Sequence, residues 1–323
     1  CTDKTCKHST AADSTCSARV SGNASGCAIR GEHLYYFDLD ESDGEKYYLY
    51  QADLDGTHRQ ALCGVEDPDD SIDDSMVEIL DVYYTKQYVY YAFWELDSKD
   101  DDTRILRLGR IDLKTKKNKI VYRLDETDSM IHSIVVRDNL LVLAVSYNDA
   151  DAKEVMKHKY DEQFAKEHDC SKIVGIDALS GKQQFILDGN SSNSNLSIVE
   201  GCLFYSKSQN EVEKSYYYDR NSQKEVEIDS HDLSMMQSDS DSKVYYMGYQ
   251  QKDGENLYTY YQYDVKAGTM TKLGESKIFY DAVMGDHVYA TISEGEEKGQ
   301  LCFTTLEKLE ASQADSYTIY KRD

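Results

Sequence analysis

The chain repeats one local pattern six times: a polar turn followed at once by a short run of apolar and aromatic residues. The first apolar residue of each run is its register mark, and the six marks are Leu34, Val89, Leu140, Leu203, Val244 and Val288. They are separated by 55, 51, 63, 41 and 44 residues. One four-stranded propeller blade takes roughly 40 to 50 residues, so the spacing predicts an all-β, six-bladed β-propeller. Seven blades are compatible with the pattern if upstream sequence supplies a strand.

Apolar runs on both sides of each register mark predict the remaining strands of a blade. The first strands are predicted at 27–29, 79–82, 131–136, 196–199, 233–236 and 278–280, and the outer strands at 60–62, 119–122, 184–187, 225–228, 270–273 and 317–320. The third run ends at an aspartate in five repeats, namely at Asp53, Asp112, Asp177, Asp219 and Asp264. Aspartate at such a position can accept a hydrogen bond from the backbone two residues on, which favours a tight turn. The sixth repeat has Leu306–Glu310 there instead.

These strands divide the chain into a short Cys-rich segment at 1–24 and a propeller at 25–323. The six blades are expected at about 25–74, 75–127, 128–189, 190–230, 231–275 and 276–323.

The longest interval contains a segment without strand character, residues 151–168, between the second and third strands of blade three. It has good helix formers throughout, and Met156, Tyr160 and Phe164 recur every four residues, which predicts one amphipathic helix. Packing of that face on the propeller's own surface is the simpler expectation, and a lid or partner-binding ridge is the functional alternative. His158 and Glu162 lie one turn apart, which is also the geometry of an ordinary surface pair.

Residues 49–62 carry a resemblance to a known family. The sequence Leu-Tyr-Gln-Ala-Asp-Leu-Asp-Gly-Thr-His-Arg-Gln-Ala-Leu resembles a strand, turn and strand of the YWTD propellers of low-density-lipoprotein receptors. No repeat has the Trp-Thr-Asp of that family, so its bonding between blades is not transferred. The chain is more similar to uncharacterised YWTD-like propeller domains of clostridial-type surface lipoproteins, which carry a Cys-x4-Cys-Lys-His segment and a later cysteine, as at Cys1, Cys6, His8 and Cys16 here. No activity or ligand is defined for that family, so the resemblance implies none for this chain.

Composition limits the classes of partner. Sixty acidic residues against 36 basic ones give a formal net charge of -24, which repels phosphate backbones and anionic lipid surfaces. We therefore expect no nucleic-acid partner. Apolar runs do not approach the 18 residues that a membrane-spanning helix needs, so no spanning segment is expected. The expected partner is an extracellular protein, peptide or glycan, and the expected state is a monomer.

Cys1 allows two interpretations of where the chain belongs. A chain that starts at cysteine could be a mature bacterial lipoprotein lipidated at Cys1. Cys1 is, however, also the first position of the Cys-x4-Cys-Lys-His pattern, which favours a place inside a longer exported protein. Both interpretations predict an extracellular or cell-surface domain.

Half of the eight cysteines, Cys1, Cys6, Cys16 and Cys27, lie in the first 27 residues. This segment has little apolar content, so cross-links are the plausible means of ordering it. We favour disulfides among these four, because an exported location is oxidising. A zinc site formed by Cys1, Cys6, His8 and Cys16 is the alternative, although its spacing matches no standard zinc module. Cys202 and Cys302 are expected to be small buried hydrophobes.

Acidic clusters raise the question of calcium, since carboxylate oxygens are the ligands that this hard cation takes. The segment 38–44 begins like an EF-hand loop but has Asp43 where the glycine belongs and Leu49 where the bidentate glutamate belongs. Solvated acidic turns are the simpler expectation given the overall charge. No resident cofactor is therefore predicted. The other acidic clusters, also expected to lie in loops, contain Asp67, Asp69, Asp70, Asp73, Asp74, Asp100, Asp101 and Asp102.

Catalytic motifs are not evident: the sequence lacks Gly-x-Ser-x-Gly, His-Glu-x-x-His, a phosphate loop and a dinucleotide fingerprint. His33 and His287 occupy the same position in blades one and six, where solvated turns explain them as well as a shared site does. We expect a non-catalytic extracellular binding or scaffold module. The alternative is an extracellular polysaccharide hydrolase or lyase that uses carboxylates at the channel mouth.

Overall fold

The computed structural model describes residues 24–319 except 41–45, 66–77, 98–99, 125, 159–160, 189–195, 210–211, 232, 239, 253, 293–297, 312 and 314. The described part of the chain consists mainly of β-strands in six sheets. Their strands pair antiparallel, except that Gln237–Ser238 pairs in parallel with Ala282–Met284 at the edge of the sixth sheet. The fold is therefore the predicted all-β, six-bladed β-propeller. The chain divides into two compact units, Cys1–Leu187 and Asp188–Asp323.

The first unit contains blades one to three. Blade one consists of β1 (Ser25–Arg30), β2 (His33–Asp40), β3 (Lys46–Asp53) and β4 (Gln60–Gly64). Blade two consists of β5 (Glu78–Tyr84), β6 (Tyr88–Asp97), β7 (Asp100–Asp112) and β8 (Lys117–Leu124). Blade three consists of β9 (Thr127–Arg137), β10 (Leu140–Asn148), β11 (Asp169–Asp177) and β12 (Gln183–Asp188), with α1 (Ala152–Lys157) and α2 (Glu162–His168) between β10 and β11.

The second unit contains blades four to six. Blade four consists of β13 (Ser197–Val199), β14 (Cys202–Gln209), β15 (Val212–Asp219) and β16 (Lys224–His231). Blade five consists of β17 (Leu233–Met235), β19 (Lys243–Lys252), β20 (Glu255–Asp264) and β21 (Thr269–Ser276). Blade six consists of β18 (Gln237–Ser238), β22 (Ala282–Met284), β23 (His287–Thr291), β24 (Leu301–Thr305) and β25 (Thr318–Ile319), and α3 (Leu306–Glu310) follows β24.

All six register marks lie in the second strand of their blades, as predicted. Five of them, from Val89 to Val288, are buried, because neighbouring side chains cover both faces of these strands. The alternation of strand residues between faces thus explains why apolar and aromatic residues occur in consecutive pairs here.

The aspartate turns form by the expected mechanism. Asp112 Oδ1 accepts hydrogen bonds from the backbone N–H groups of Lys114 at 2.8 Å and Thr115 at 2.9 Å. Asp177 and Asp219 make equivalent bonds within their own turns. Hydrogen bonds to the ionised form hold the pKa of all three carboxyl groups below the ordinary value. These carboxylates therefore serve to close the hairpins.

Blade six departs from the prediction at its first strand. β22 takes the place of the predicted segment 278–280, which lies outside the ladder, and β18, which precedes β19 in the chain, pairs with β22 in parallel at the edge of the sheet. Side chains of blade five bind the segment 278–280. Tyr260 Oη donates to the Ile278 carbonyl at 2.6 Å and accepts from the Tyr280 N–H at 2.8 Å, and Ser276 Oγ accepts from the Ile278 N–H at 3.0 Å. The apolar residues of this segment are therefore needed for contact between blades rather than for strand pairing. In the same blade, α3 replaces the aspartate turn, and Thr305 caps it.

Tyrosine hydroxyls link neighbouring blades inside each unit. Tyr84 Oη donates to the Gly26 carbonyl at 2.6 Å, and Tyr91 Oη donates to the Val65 carbonyl at 2.9 Å. Gly109 lies opposite Tyr91 across the sheet, and a Cβ at Gly109 would meet the ring at 2.1 Å. A tyrosine thus fills the space between two blades with its ring and satisfies a backbone carbonyl of the next blade with its hydroxyl.

Candidate functional site

The insertion in blade three consists of two short helices rather than the single predicted helix. Asp151 caps α1, and Asp161 caps α2 by accepting from the N–H groups of Gln163 and Phe164. An aspartate that binds the backbone ahead of it favours the start of a new helix over continuation of the old one. The prediction of one continuous helix was therefore wrong at this point, and the capping tendency of Asp161 was the signal that could have corrected it.

Three aromatic rings stack along the insertion. The ring of Phe164 lies 4.8 Å from that of His158, at an interplanar angle of 11°, and 4.4 Å from that of His168, at 38°. No described residue of α1 or α2 is buried, and Met156 is 48% exposed. The expected packing of this face on the propeller surface is thus not formed by Met156, whereas Phe164 packs on the histidines of its own insertion. Tyr160 lies outside the described residues.

Carboxylates surround both histidines. His158 Nε2 lies 3.5 Å from Glu154 and its Nδ1 lies 3.4 Å from Asp161, so the partner of His158 is not the predicted Glu162. His168 Nδ1 lies 2.7 Å from Asp149. The pKa of Asp161 is lowered, first by the hydrogen bond from the Phe164 N–H and then by His158. Asp161 is accordingly an anion at neutral pH and cannot serve as a proton donor there.

An open groove of about 710 Å³ lies along α1 and α2. It combines one flexible apolar side chain with charges of both signs and one amide, which suits reversible contact with a mixed polar and apolar partner. Its lining residues are Met156, Lys157, His158, Asp161, Glu162, Gln163 and Lys166. Sequence analysis singled out Met156, His158 and Glu162 of this set and missed the others, since surface lysines and amides carry no distinctive pattern.

The cysteine predictions fall mostly outside the described part of the chain. The proposed zinc ligands all lie outside the described residues, and so does the possible lipidation site Cys1. These ligands are Cys1, Cys6, His8 and Cys16. Cys27 is exposed on β1, and the described cysteines include no disulfide. Cys302 is buried as predicted, while Cys202 is only partly buried.

Two of the acidic segments that were expected to be solvated turns contain strand residues in the structure. Asp38 is fully buried on β2, where its carboxylate binds Arg59 Nη2 at 3.0 Å. The residues 100–102 begin β7 rather than occupying a loop. Within the described ranges, no three His, Cys, Asp or Glu side chains are placed to hold a metal ion. The remaining acidic residues, Asp67, Asp69, Asp70, Asp73 and Asp74, lie outside the described residues.

His33 and His287 each face a carboxylate of their own blade. His33 Nδ1 lies 3.6 Å from Asp53, and His287 Nδ1 lies 2.5 Å from Asp286. Both histidines begin the second strand of a blade, as the repeat predicts. In each case the described contact of the ring nitrogen is with a carboxylate of the same blade.

The fold defines the class of protein as a β-propeller domain. Across the described residues, no helix is long and apolar enough to cross a membrane. No protein-family model matches the chain, and no curated protein matches it either.

Solved structures share the fold at low sequence identity. An acylaminoacyl peptidase from Pyrococcus horikoshii is similar with a TM-score of 0.59 and 13% identity over 87% of this chain, which spans only 44% of the peptidase. An oligogalacturonate lyase in complex with manganese is similar with a TM-score of 0.55 and 12% identity, over 86% of this chain and 72% of the lyase. The oligogalacturonate lyase of Vibrio parahaemolyticus gives a TM-score of 0.52 at 11% identity, over 90% of this chain and 74% of that one. At these identities the similarity extends to the fold alone.

Proposed function

We propose that this chain is a non-catalytic binding or scaffold module of a bacterial surface or secreted protein, and that the groove on α1 and α2 is a partner-binding surface. The observation that carries the proposal is the groove itself. Its polar groups contact one another: Lys157 forms an ion pair with Glu154, and the ring nitrogens of His158 lie 3.5 Å from Glu154 and 3.4 Å from Asp161. Such pairs hold the surface in shape without leaving an activated nucleophile or acid.

The support beneath the groove favours binding. Strands β10 and β11 pair in unbroken register from Leu140 opposite Asp177 to Asn148 opposite Asp169. At the base of the insertion, Asn148 Nδ2 donates to Asp169 Oδ1 at 3.0 Å, and the Asp149 N–H donates to the His168 carbonyl. A surface mounted on a fully paired hairpin loses little conformational entropy when a partner binds.

The net charge favours cationic or neutral partners. A formal charge of -24 attracts basic peptides and proteins and repels polyanions. We place the module outside the cytoplasmic membrane on the strength of its resemblance to surface-lipoprotein propellers. The ligand class is an extracellular protein, peptide or glycan.

A polysaccharide hydrolase or lyase is the second candidate. It is favoured by the shared fold of the two oligogalacturonate lyases, at TM-scores of 0.55 and 0.52. The charge argues against a substrate of that particular kind, because oligogalacturonate is itself an anion. A neutral polysaccharide would avoid this repulsion.

A binding screen with two methionine variants tests the proposal. The purified chain is applied to peptide and glycan arrays at two salt concentrations, and the same samples are assayed for glycan cleavage. Met156→Ala should weaken binding of the selected partner, while Met130→Ala, which removes a methionine of similar exposure (41% against 48%) from β9, should not. Attraction of a cationic partner should also weaken as salt is raised.

Turnover of a polysaccharide that is lost on replacing a carboxylate would overturn the non-catalytic function. Equal binding by the Met156→Ala and Met130→Ala variants would remove the groove from the proposal.

A further inference from the structure

Three aromatic rings form an exposed surface on blade five. Tyr249 on β19 and Tyr258 on β20 are direct cross-strand partners, with ring centroids 5.6 Å apart. Phe279, which follows β21, contacts Tyr258 edge to face, with ring centroids 5.4 Å apart. Tyr249 is 55% exposed and Phe279 is 46% exposed. We call these three residues the aromatic platform.

The platform continues a buried sheet face outward. Alternation along a strand puts Met247 on the same face as Tyr249, and Tyr260 on the same face as Tyr258. Met247 and Tyr260 are also cross-strand partners, and both belong to the buried cluster that includes residues of blade six. Tyr258 packs against that cluster as well. One face of the sheet is therefore buried at Tyr260 and exposed to solvent at Tyr249.

Both exposed rings have fixed neighbours. The hydroxyl of Tyr249 donates to Asn256 Oδ1 at 3.0 Å. Phe279 lies between Ile278, whose carbonyl accepts from Tyr260 Oη, and Tyr280, whose N–H donates to the same hydroxyl. The rings are thus positioned before any ligand arrives, which lowers the entropy that binding must overcome.

Polar groups near the platform are two amides, one lysine and the carboxylates that this lysine contacts. Gln251 and Asn256 are cross-strand partners on the same face as the two tyrosines. Lys277 forms an ion pair with Glu255, and the hydrogen bond from that lysine to the glutamate raises the lysine pKa. Asp315 Oδ1 also accepts from the Lys277 N–H at 2.8 Å, so the lysine lies between two carboxylates and offers no unpaired positive charge beside the apolar rings.

We propose that the aromatic platform binds a neutral oligosaccharide. A sugar ring presents an apolar face of C–H groups, which packs on an aromatic ring, and an edge of hydroxyls, which bond to amides such as Gln251 and Asn256. An anionic ligand would find Lys277 already paired with Glu255 and would be repelled by the net charge of the chain, -24. Exposed apolar patches bordered by polar groups are characteristic of binding sites. This inference rests on the proposed binding function and adds to it a second surface, distinct from the groove on α1 and α2, with its own ligand class.

The test is a calorimetric titration with named probes. Neutral hexasaccharides of glucose, mannose, xylose and N-acetylglucosamine are compared with oligogalacturonate and with an uncharged peptide rich in leucine. At least one neutral hexasaccharide should bind with little dependence on salt, because a neutral ligand is not screened. Tyr249→Ala should weaken that binding ~10-fold or more, as truncation of a central aromatic contact does.

Two control variants separate ring contact from general damage. Tyr249→Phe keeps the ring and should change affinity less than ~3-fold, on the scale of one peripheral hydrogen bond. Leu54→Ala removes a side chain of the same exposure, 55%, from blade one and should leave affinity unchanged. Thermal melting should coincide for all three variants and the parent chain, since the altered side chains are exposed.

Failure of every neutral saccharide, or binding that Tyr249→Ala leaves intact, overturns the platform proposal. Selection of the leucine-rich peptide with loss on Tyr249→Ala also overturns it in favour of a peptide ligand. If saccharides fail while array partners are still lost on Met156→Ala, the binding function stands without the platform. Cleavage of a bound saccharide would instead overturn the binding function.

Discussion

Arg59 neutralises the fully buried carboxylate of Asp38 while its guanidinium lies on an aromatic face. Arg59 Nη2 is 3.0 Å from Asp38 Oδ2, and the guanidinium carbon is 4.0 Å from the centroid of the Tyr50 ring. Tyr36 stacks on Tyr50 at 5.8 Å, so the cation covers a pair of tyrosines. A buried anion, a partly exposed cation and two stacked rings thus hold one face of blade one together.

Replacing Arg59 by methionine should destabilise the protein by about 2 to 3 kcal/mol. The value lies between those for exposed and fully buried ion pairs, because Asp38 is buried whereas Arg59 is partly exposed. Urea unfolding measures the change. Lys272→Met breaks the exposed pair with Glu275 and should cost less than about 0.5 kcal/mol. Similar costs for the two variants would contradict the role given to Asp38.

Replacing Tyr260 by phenylalanine should cost about 2 to 4 kcal/mol of unfolding free energy. The change removes one hydroxyl but leaves two buried backbone groups, the Ile278 carbonyl and the Tyr280 N–H, without their partner. Tyr249→Phe is the matched control, since its exposed hydroxyl bonds only to Asn256 at the surface. Equal stability of the two variants would show that the contact between blades five and six does not depend on this hydroxyl.

Alanine at Gly181 should be more destabilising than alanine at Gly201. Both glycines have a φ of 77°, so alanine pays the same left-handed backbone cost at each. A Cβ at Gly181 would meet the Val121 carbonyl oxygen at 1.9 Å, whereas no atom would lie within 4 Å at Gly201. The difference between the two, about 1 to 3 kcal/mol, isolates the close approach of blades two and three. Equal melting temperatures would refute that approach.

The buried tyrosines predict a loss of stability in alkaline solution. Burial raises the pKa of Tyr84, Tyr246 and Tyr260 above the ordinary value of 10.0. A group whose pKa is higher in the folded state contributes stability that is present below pH 10 and is lost as pH rises through the folded pKa. Unfolding free energy should therefore decline above about pH 10.

Tyr246→Phe should reduce the slope of that decline, because Tyr246 is among the most deeply buried phenols. Ultraviolet titration of phenolate followed together with circular dichroism checks the linkage. Ionisation of all tyrosines without unfolding would contradict it.

Much of the fold could be predicted because blade strands carry information locally. A polar turn followed by a short apolar and aromatic run is a property of a short segment, and this pattern located all six second strands. The first strand of blade six could not be located in this way. Its apolar segment, residues 278–280, is equally suited to pairing in a ladder and to packing against Tyr260.

The insertion illustrates the same limit at a site. Helix formers and a four-residue spacing predicted helical structure at 151–168, and helical structure is present. The spacing could not indicate whether Phe164 would pack on the propeller or between His158 and His168, because both arrangements cover part of the same ring.

The sequence by itself predicted the six repeats, the second strand of each repeat and the aspartate turns of five of them, because these features depend on neighbours a few residues apart. It could not predict that Tyr249 and Tyr260 differ in exposure, because both are tyrosines on one face of the same strand pair. Only the tertiary structure decided that Tyr260 is buried among residues of blade six while Tyr249 is exposed on the aromatic platform. Burial is set by what the neighbouring blade covers, and that depends on residues distant along the chain.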